Sequence, residues 1–103
     1  MPSAHAASID AVAVGSLPPE ARQMLKLIKQ GGPFPYAKDG VVFGNYEGFL
    51  PRQGRGYYHE FTVVTPRARN RGARRIIAGG NAQTSGEYFY TKDHYRTFQR
   101  IKE

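Results

Sequence analysis

The stretch YYHEFTVVT, Tyr57 to Thr65, decides the fold. It is rich in aromatic and β-branched residues, which suit a pleated, half-buried surface, and it reads as a strand. Side chains alternate across a strand, so Tyr58, Glu60, Thr62 and Val64 take one face and Tyr57, His59, Phe61 and Val63 the other. The second set suits packing against a helix, with His59 at its edge. Glu60 then points to the open face, alone as an acid in a stretch that runs on into PRARNRGARR, Pro66 to Arg75.

Outward from this strand the chain gives further short strand candidates: Val41–Phe43, Arg74–Ala78, Tyr88–Thr91 and Thr97–Ile101. The links PRARNRG, GGNAQTSG and KDHY are polar and turn-like. Upstream, SLPPEARQMLKLIKQGG reads as the one clear helix. Pro18 and Pro19 suit its first turn, and Glu20 suits its positive end. Ala21, Met24, Leu25 and Ile28 fall at i, i+3, i+4 and i+7 and form one apolar face. Gly31 and Gly32 stop it. A helix followed by a run of strands predicts an α+β domain, one helix packed on one face of an antiparallel sheet and the opposite face left for function. The 103 residues suit a single domain, with residues 1–14 as a loose N-terminal segment.

The formal net charge is +7, a charge that attracts nucleic acid or an acidic protein. The chain has no cysteine, which excludes disulfides, thiolate catalysis and every cysteine-containing metal site. Its three histidines are far apart and carry no ligand-like spacing, so no metal site is expected. His5 falls in the loose segment and receives no role. No apolar run reaches transmembrane length.

Phosphodiester cleavage without a metal needs a base for the attacking hydroxyl, an acid for the leaving oxygen and cations for the phosphorus between them. Glu60 is the candidate base. His94, in TKDHYRTF, is the candidate acid, since imidazole carries a proton near neutral pH. Arg71 and Arg75 are candidates to clamp the phosphate, because guanidinium binds it bidentately. If Arg75 shares a face with Glu60, an acid and a guanidinium meet above the sheet. Each residue taken singly has another reading. A Glu amid arginines is more often an ion-pair partner than a base, Asp93–His94 could simply form a turn, and the arginine run could be a generic phosphate-binding face.

The order of motifs is more specific than any one of them. LPPEARQMLKLIKQGGPFPYAKDGVVF, NYEGFLP, GYYHEFTVVTPRARNRGARRII and YFYTKDHYRTFQRI follow one another from about Leu17 to Ile101. In this the chain resembles the bacterial guanyl-specific ribonucleases, the family of barnase, and most closely their small streptomycete branch. The resemblance implies Glu60 as general base, His94 as general acid and Arg71 and Arg75 as phosphate-stabilising arginines, with Tyr95 lining the phosphate site. It implies that Glu47 reads guanine, because one carboxylate accepts both N1–H and N2–H₂. It also implies that main-chain N–H groups around Asn45 and Tyr46 donate to O6, and that Phe43 offers a stacking face.

The implied activity is cleavage of single-stranded RNA after guanosine, through a 2′,3′-cyclic phosphate that water then opens to a 3′-phosphate, with no cofactor. A monomer, secretion, toxicity inside cells and a small acidic inhibitor like barstar complete the expectation. Two competing readings are a non-catalytic basic RNA-binding module and a toxin domain defined by such an inhibitor. The chain departs from the branch at Gly44, where a polar residue is common, at Tyr46, where relatives have Arg, and in lacking the branch's disulfide.

Overall fold

The computed structural model describes residues 9–103. It holds one helix and one six-stranded sheet. In chain order the elements are β1 (Asp10–Ala13), a single 3₁₀ turn (Val14–Ser16), α1 (Pro19–Gln30), β2 (Val41–Phe43), β3 (Tyr58–Thr62), β4 (Arg75–Gly79), β5 (Tyr88–Thr91) and β6 (Gln99–Lys102). The strands lie in the order β1-β6-β5-β4-β3-β2. No helix among the described residues is long and apolar enough to cross a membrane.

The helix forms as its sequence dictates. Pro19 stands at the first helical position, where its missing N–H is not needed, and Glu20 faces the positive end of the helix. Gly31 adopts φ +85°, a left-handed turn that a side chain resists, and its N–H bonds the carbonyl of Ile28. Ala21, Met24, Leu25 and Ile28 are the buried face. They meet Phe61, Ile76, Ala78, Tyr88, Tyr90 and Ile101 from the sheet and Val63 just after β3. Each large apolar side chain in this layer contributes on the order of 1.5–3 kcal/mol by leaving water.

Four of the five strand pairings are antiparallel. The fifth corrects the expected all-antiparallel sheet: β1 runs parallel to β6, Val12 opposite Ile101, so the sheet is mixed. The same strand corrects part of the expected loose segment, since Asp10–Ala13 is ordered against the sheet, while residues 1–8, His5 among them, lie outside the described residues. The small side chains of DAVA gave no strand signal, and the partner is at the other end of the sequence. Tyr57 is a second correction. It precedes β3, so the alternation does not bind it to the helix side. It packs edge-on against Tyr58 and donates to Glu87 Oε1 at 2.5 Å.

The face away from the helix carries its own small core. Leu50, Tyr58, Ile77, Phe89 and Phe98 are buried there, with Phe43 and Tyr95 packed against them. The register explains the set. Phe43 opposes Tyr58, Glu60 opposes Ile77, Thr62 opposes Arg75, and Ile77 opposes Phe89. Opposed residues share a face, so Glu60, Thr62 and Arg75 emerge side by side on the face opposite α1.

Candidate active site

Strand β3 supplies Glu60 and β4 supplies Arg75, and the antiparallel register places them two residues out of line on the same face. Arg71 arrives from the loop between these strands. Its Nη2 lies 3.4 Å from Glu60 Oε1, and its Nε donates to Thr62 Oγ1 at 3.1 Å. Arg75 is buried at 3% exposure, a position that a guanidinium tolerates only when its charge and donors are engaged. Its Nη1 donates to the carbonyls of Gly72 and Arg74, and its Nε stands 3.7 Å from Glu60 Oε1. That separation is too long for a hydrogen bond, so among the described residues the buried Nε has charge contact but no acceptor.

A third group holds the same carboxylate oxygen. The Tyr95 hydroxyl donates to Glu60 Oε1 at 2.6 Å. Burial, and then the hydrogen bond to Glu60, push the Tyr95 phenol above its ordinary range, so it stays a donor across all working pH. Tyr95, Arg71 and Arg75 therefore all address Oε1. Among the described residues Oε2 has no hydrogen-bond or ion-pair partner.

His94 comes from the loop between β5 and β6. Its φ is +57° and that of Tyr95 +76°, two successive left-handed residues with side chains. The loop is built to hold them. His94 N–H donates to the Ala73 carbonyl at 2.9 Å, and Tyr95 N–H to Thr91 Oγ1 at 3.1 Å. Asp93 accepts from the Thr91 hydroxyl, from both N–H and hydroxyl of Thr97 and from Arg96 N–H. Burial opposes the Asp93 charge, but the donations from Thr97, Thr91 and Arg96 outweigh it and hold the carboxyl down to about 2. His94 itself is exposed, with its ring 4.8 Å from that of Tyr95.

Residues 44–56, Glu47 among them, close one side of a hollow that Phe43, Glu60, His94 and Tyr95 also line. Asn45 shapes the loop. At φ +53° it donates from Nδ2 to the Leu50 carbonyl at 3.0 Å and accepts from Leu50 N–H at 3.2 Å, closing the loop over buried Leu50. Glu47 is exposed, and its carboxylate has no partner among the described residues. Phe43 is half-buried and packs its ring, tilted, against that of Tyr95 at 4.7 Å, between the loop after β2 and Glu60's partner Tyr95. Tyr46 is 94% exposed. Its ring lies against Gly44 so closely that a Cβ there would stand 2.4 Å from it. The two departures from the family pattern are thus one feature, since the glycine makes room for the tyrosine.

Eight of the ten expected residues line this hollow, and the other two, Arg71 and Arg75, line a second hollow that shares His94. Sequence reasoning missed the supports. Asp39 accepts Thr62 N–H at 2.7 Å and so anchors the strand segment that carries Glu60, while Thr62 orients Arg71. Asp93, for which a turn with His94 was one open reading, is the acceptor at the centre of that loop. Among the described residues no group of three or more His, Asp and Glu side chains gathers in a way that could hold a metal ion.

Comparison with known proteins gives the family and the fold. A ribonuclease family model matches residues 2–102. The chain belongs to the ribonuclease family. This ribonuclease is 56% identical over 92 residues to guanyl-specific ribonuclease Sa of Kitasatospora aureofaciens, covering 89% of this chain and 93% of that one. It is 49% identical over 98 residues to guanyl-specific ribonuclease St of Saccharopolyspora erythraea, covering 95% and 93%. Ribonuclease Sa2, solved in complex with mononucleotides, superposes on the ribonuclease with a TM-score of 0.87 at 48% identity, over 93% of this chain and 96% of that one. A structure of Sa2 with 3′-GMP gives 0.81 at 49% identity, over 91% and 97%.

Proposed function

We propose that this ribonuclease cleaves single-stranded RNA on the 3′ side of guanosine, by transesterification to a 2′,3′-cyclic phosphate and hydrolysis of that ring to the 3′-phosphate. The observation that carries the reading is the division of labour on Glu60. One carboxylate oxygen is fixed by Tyr95 and faced by two guanidiniums, and the other is left unengaged in the hollow that also holds His94 and Glu47.

In the first step Glu60 Oε2 takes the proton of the guanosine 2′-hydroxyl. The 2′-oxygen forms its bond to phosphorus as the bond to the 5′-oxygen breaks, and His94 gives that oxygen its proton. Negative charge builds on the non-bridging oxygens, where Arg71 and Arg75 stand, and the free Nε of Arg75 gains its acceptor. In the second step the roles reverse: His94 takes a proton from water, water attacks phosphorus, and Glu60 returns its proton to the 2′-oxygen. At the base, the open Glu47 carboxylate accepts N1–H and N2–H₂, a donor pair that adenine, cytosine and uracil do not present. Phe43 and Tyr46 supply aromatic surface.

The test is product analysis with four dinucleoside phosphates that differ in the first base. Cleavage of the guanylyl substrate alone, unchanged by EDTA, is expected. Cleavage of none would favour a non-catalytic binding module, and loss of activity in EDTA would sink the metal-free route. A net charge of +7 supports the further reading that a small acidic inhibitor of the barstar kind covers the groove of a monomeric, exported enzyme. Salt-sensitive inhibition by barstar, with one-to-one stoichiometry, checks the inhibitor.

A further inference from the structure

The main chain from Arg71 to Arg74 meets both phosphate-facing arginines and the proposed proton donor. Arg71 belongs to it. The carbonyls of Gly72 and Arg74 accept from Arg75 Nη1 at 3.0 and 2.8 Å, and the carbonyl between them, that of Ala73, accepts from His94 N–H at 2.9 Å. These few residues therefore set the spacing between clamp and acid. Glu60 is held separately, on β3, where its carbonyl accepts Gly40 N–H at 2.7 Å. A shift of the segment would move clamp and acid together against the base.

Arg74 is the arginine of this segment that points away from the reaction. Side chains alternate, so it leaves the chain on the opposite side from Arg75, toward α1. There its Nε donates to Thr65 Oγ1 at 3.3 Å, and its Nη1 stands 3.7 Å from Glu20 Oε1 in the first turn of the helix. The two side chains of that ion pair are only 18% and 27% exposed, so solvent screens it less than a surface pair. Thr65 lies at the start of the same loop and fits against Gly72, which adopts φ +70°; a Cβ on Gly72 would stand 2.6 Å from Thr65 Oγ1. One guanidinium thus ties the end of the loop to its beginning and both to the helix. Its planar fork offers donors in fixed directions to two partners at once.

We infer that Arg74 is a positioning residue: through Thr65 and Glu20 it fixes the Arg71–Arg74 segment, and through the carbonyls of that segment it places Arg75 and His94. The inference rests on the proposed ribonuclease chemistry. Base reading lies outside this arrangement, since the loop after β2 is closed by Asn45 on Leu50 and by the Tyr58 hydroxyl on the Pro51 carbonyl.

The test measures kcat on GpC, with guanosine and inorganic phosphate as competitive inhibitors that probe base loop and clamp separately, under conditions where urea unfolding shows each variant folded. Arg74→Ala should lower kcat about tenfold, the cost of a small misplacement of reacting groups. It should weaken inhibition by phosphate several-fold and leave inhibition by guanosine unchanged. Thr65→Val keeps the shape against Gly72 but removes the acceptor, and should lower kcat in the same sense; Thr65→Ser restores the hydroxyl and should keep the wild-type kcat. The double variant should lose no more than Arg74→Ala alone, because both changes break one connection. Wild-type kcat and phosphate inhibition in Arg74→Ala would overturn the inference, and the same result in Thr65→Val would do so if Arg74→Ala does not fold. Additive losses, or equal weakening of guanosine and phosphate, would overturn it too, the latter marking a general loosening. A wild-type protein inert on GpC would instead overturn the reading on which the inference rests.

Discussion

Glu60 and Tyr95, 35 residues apart in sequence, are joined by a hydrogen bond of 2.6 Å from the phenol to Oε1. The bond links the central sheet to the loop that carries His94, so the two halves of the proposed acid–base pair share one mechanical connection. Hydrogen bonds to a charged group are worth about 1.5–3 kcal/mol. Tyr95→Phe keeps the ring contacts with Phe43 and Phe98 and removes only the bond. Expected is a fall in kcat of about tenfold or more with KM near wild type. An unchanged kcat would show that the arginines alone position Glu60.

General acid–base catalysis contributes about 10²–10⁴-fold. Glu60→Gln and His94→Ala should each slow transesterification of a guanylyl dinucleotide at least ~100-fold while RNA binding at low salt persists. A rate within a few fold of wild type in either variant removes that residue from its role.

Base choice should be separable from catalysis. Glu47→Gln keeps the loop but replaces an acceptor pair with one acceptor and one donor. The ratio of guanylyl to adenylyl cleavage should drop by about 10–100-fold, the value of a hydrogen-bonded charge. Tyr46→Ala should raise KM for guanylyl substrates up to about tenfold through lost stacking and leave the melting temperature unchanged, since the ring is 94% exposed. Measuring both ratios on the same dinucleotides shows whether carboxylate or ring governs preference.

Asp93 gives a pH dependence with a definite sign. Its carboxyl is held at about 2 against an ordinary 3.8, so its contribution to stability is complete above the unfolded value and fades as pH falls through the folded one. Asp93→Asn should cost about 1 kcal/mol at pH 7, after allowance for solvent screening. The difference from wild type should close between about pH 4 and pH 2. Urea unfolding of both proteins across that range is the check; a gap that stays constant would mean the hydrogen bonds do not depend on the charge.

The sequence was legible where local chemistry and alternation act alone. Gly31 ends the helix as read, and the Glu60–Thr62 alternation set against Ile77 and Arg75 places acid and guanidinium on one face. Strand β1 escaped because Ala11 and Ala13 bury little, and its stability comes from a partner some 90 residues away. Tyr57 was misassigned because strand ends are not fixed by composition. Asp39 and Thr62 gave no signal, since their work is done through backbone N–H and a hydroxyl whose partners only the folded chain supplies. The pairing of Gly44 with Tyr46 was visible as two departures, but their steric dependence needed coordinates.

The two left-handed residues at positions 94 and 95 put the proposed proton donor on a backbone that resists carrying a side chain, at about 1 kcal/mol or more for each. Glycine would relieve that strain at either position. His94→Gly should therefore melt higher than the wild type while losing the reaction. Selection for durability alone would erase the histidine. A histidine held in so uncomfortable a conformation is what the proposed proton donor would require of this loop.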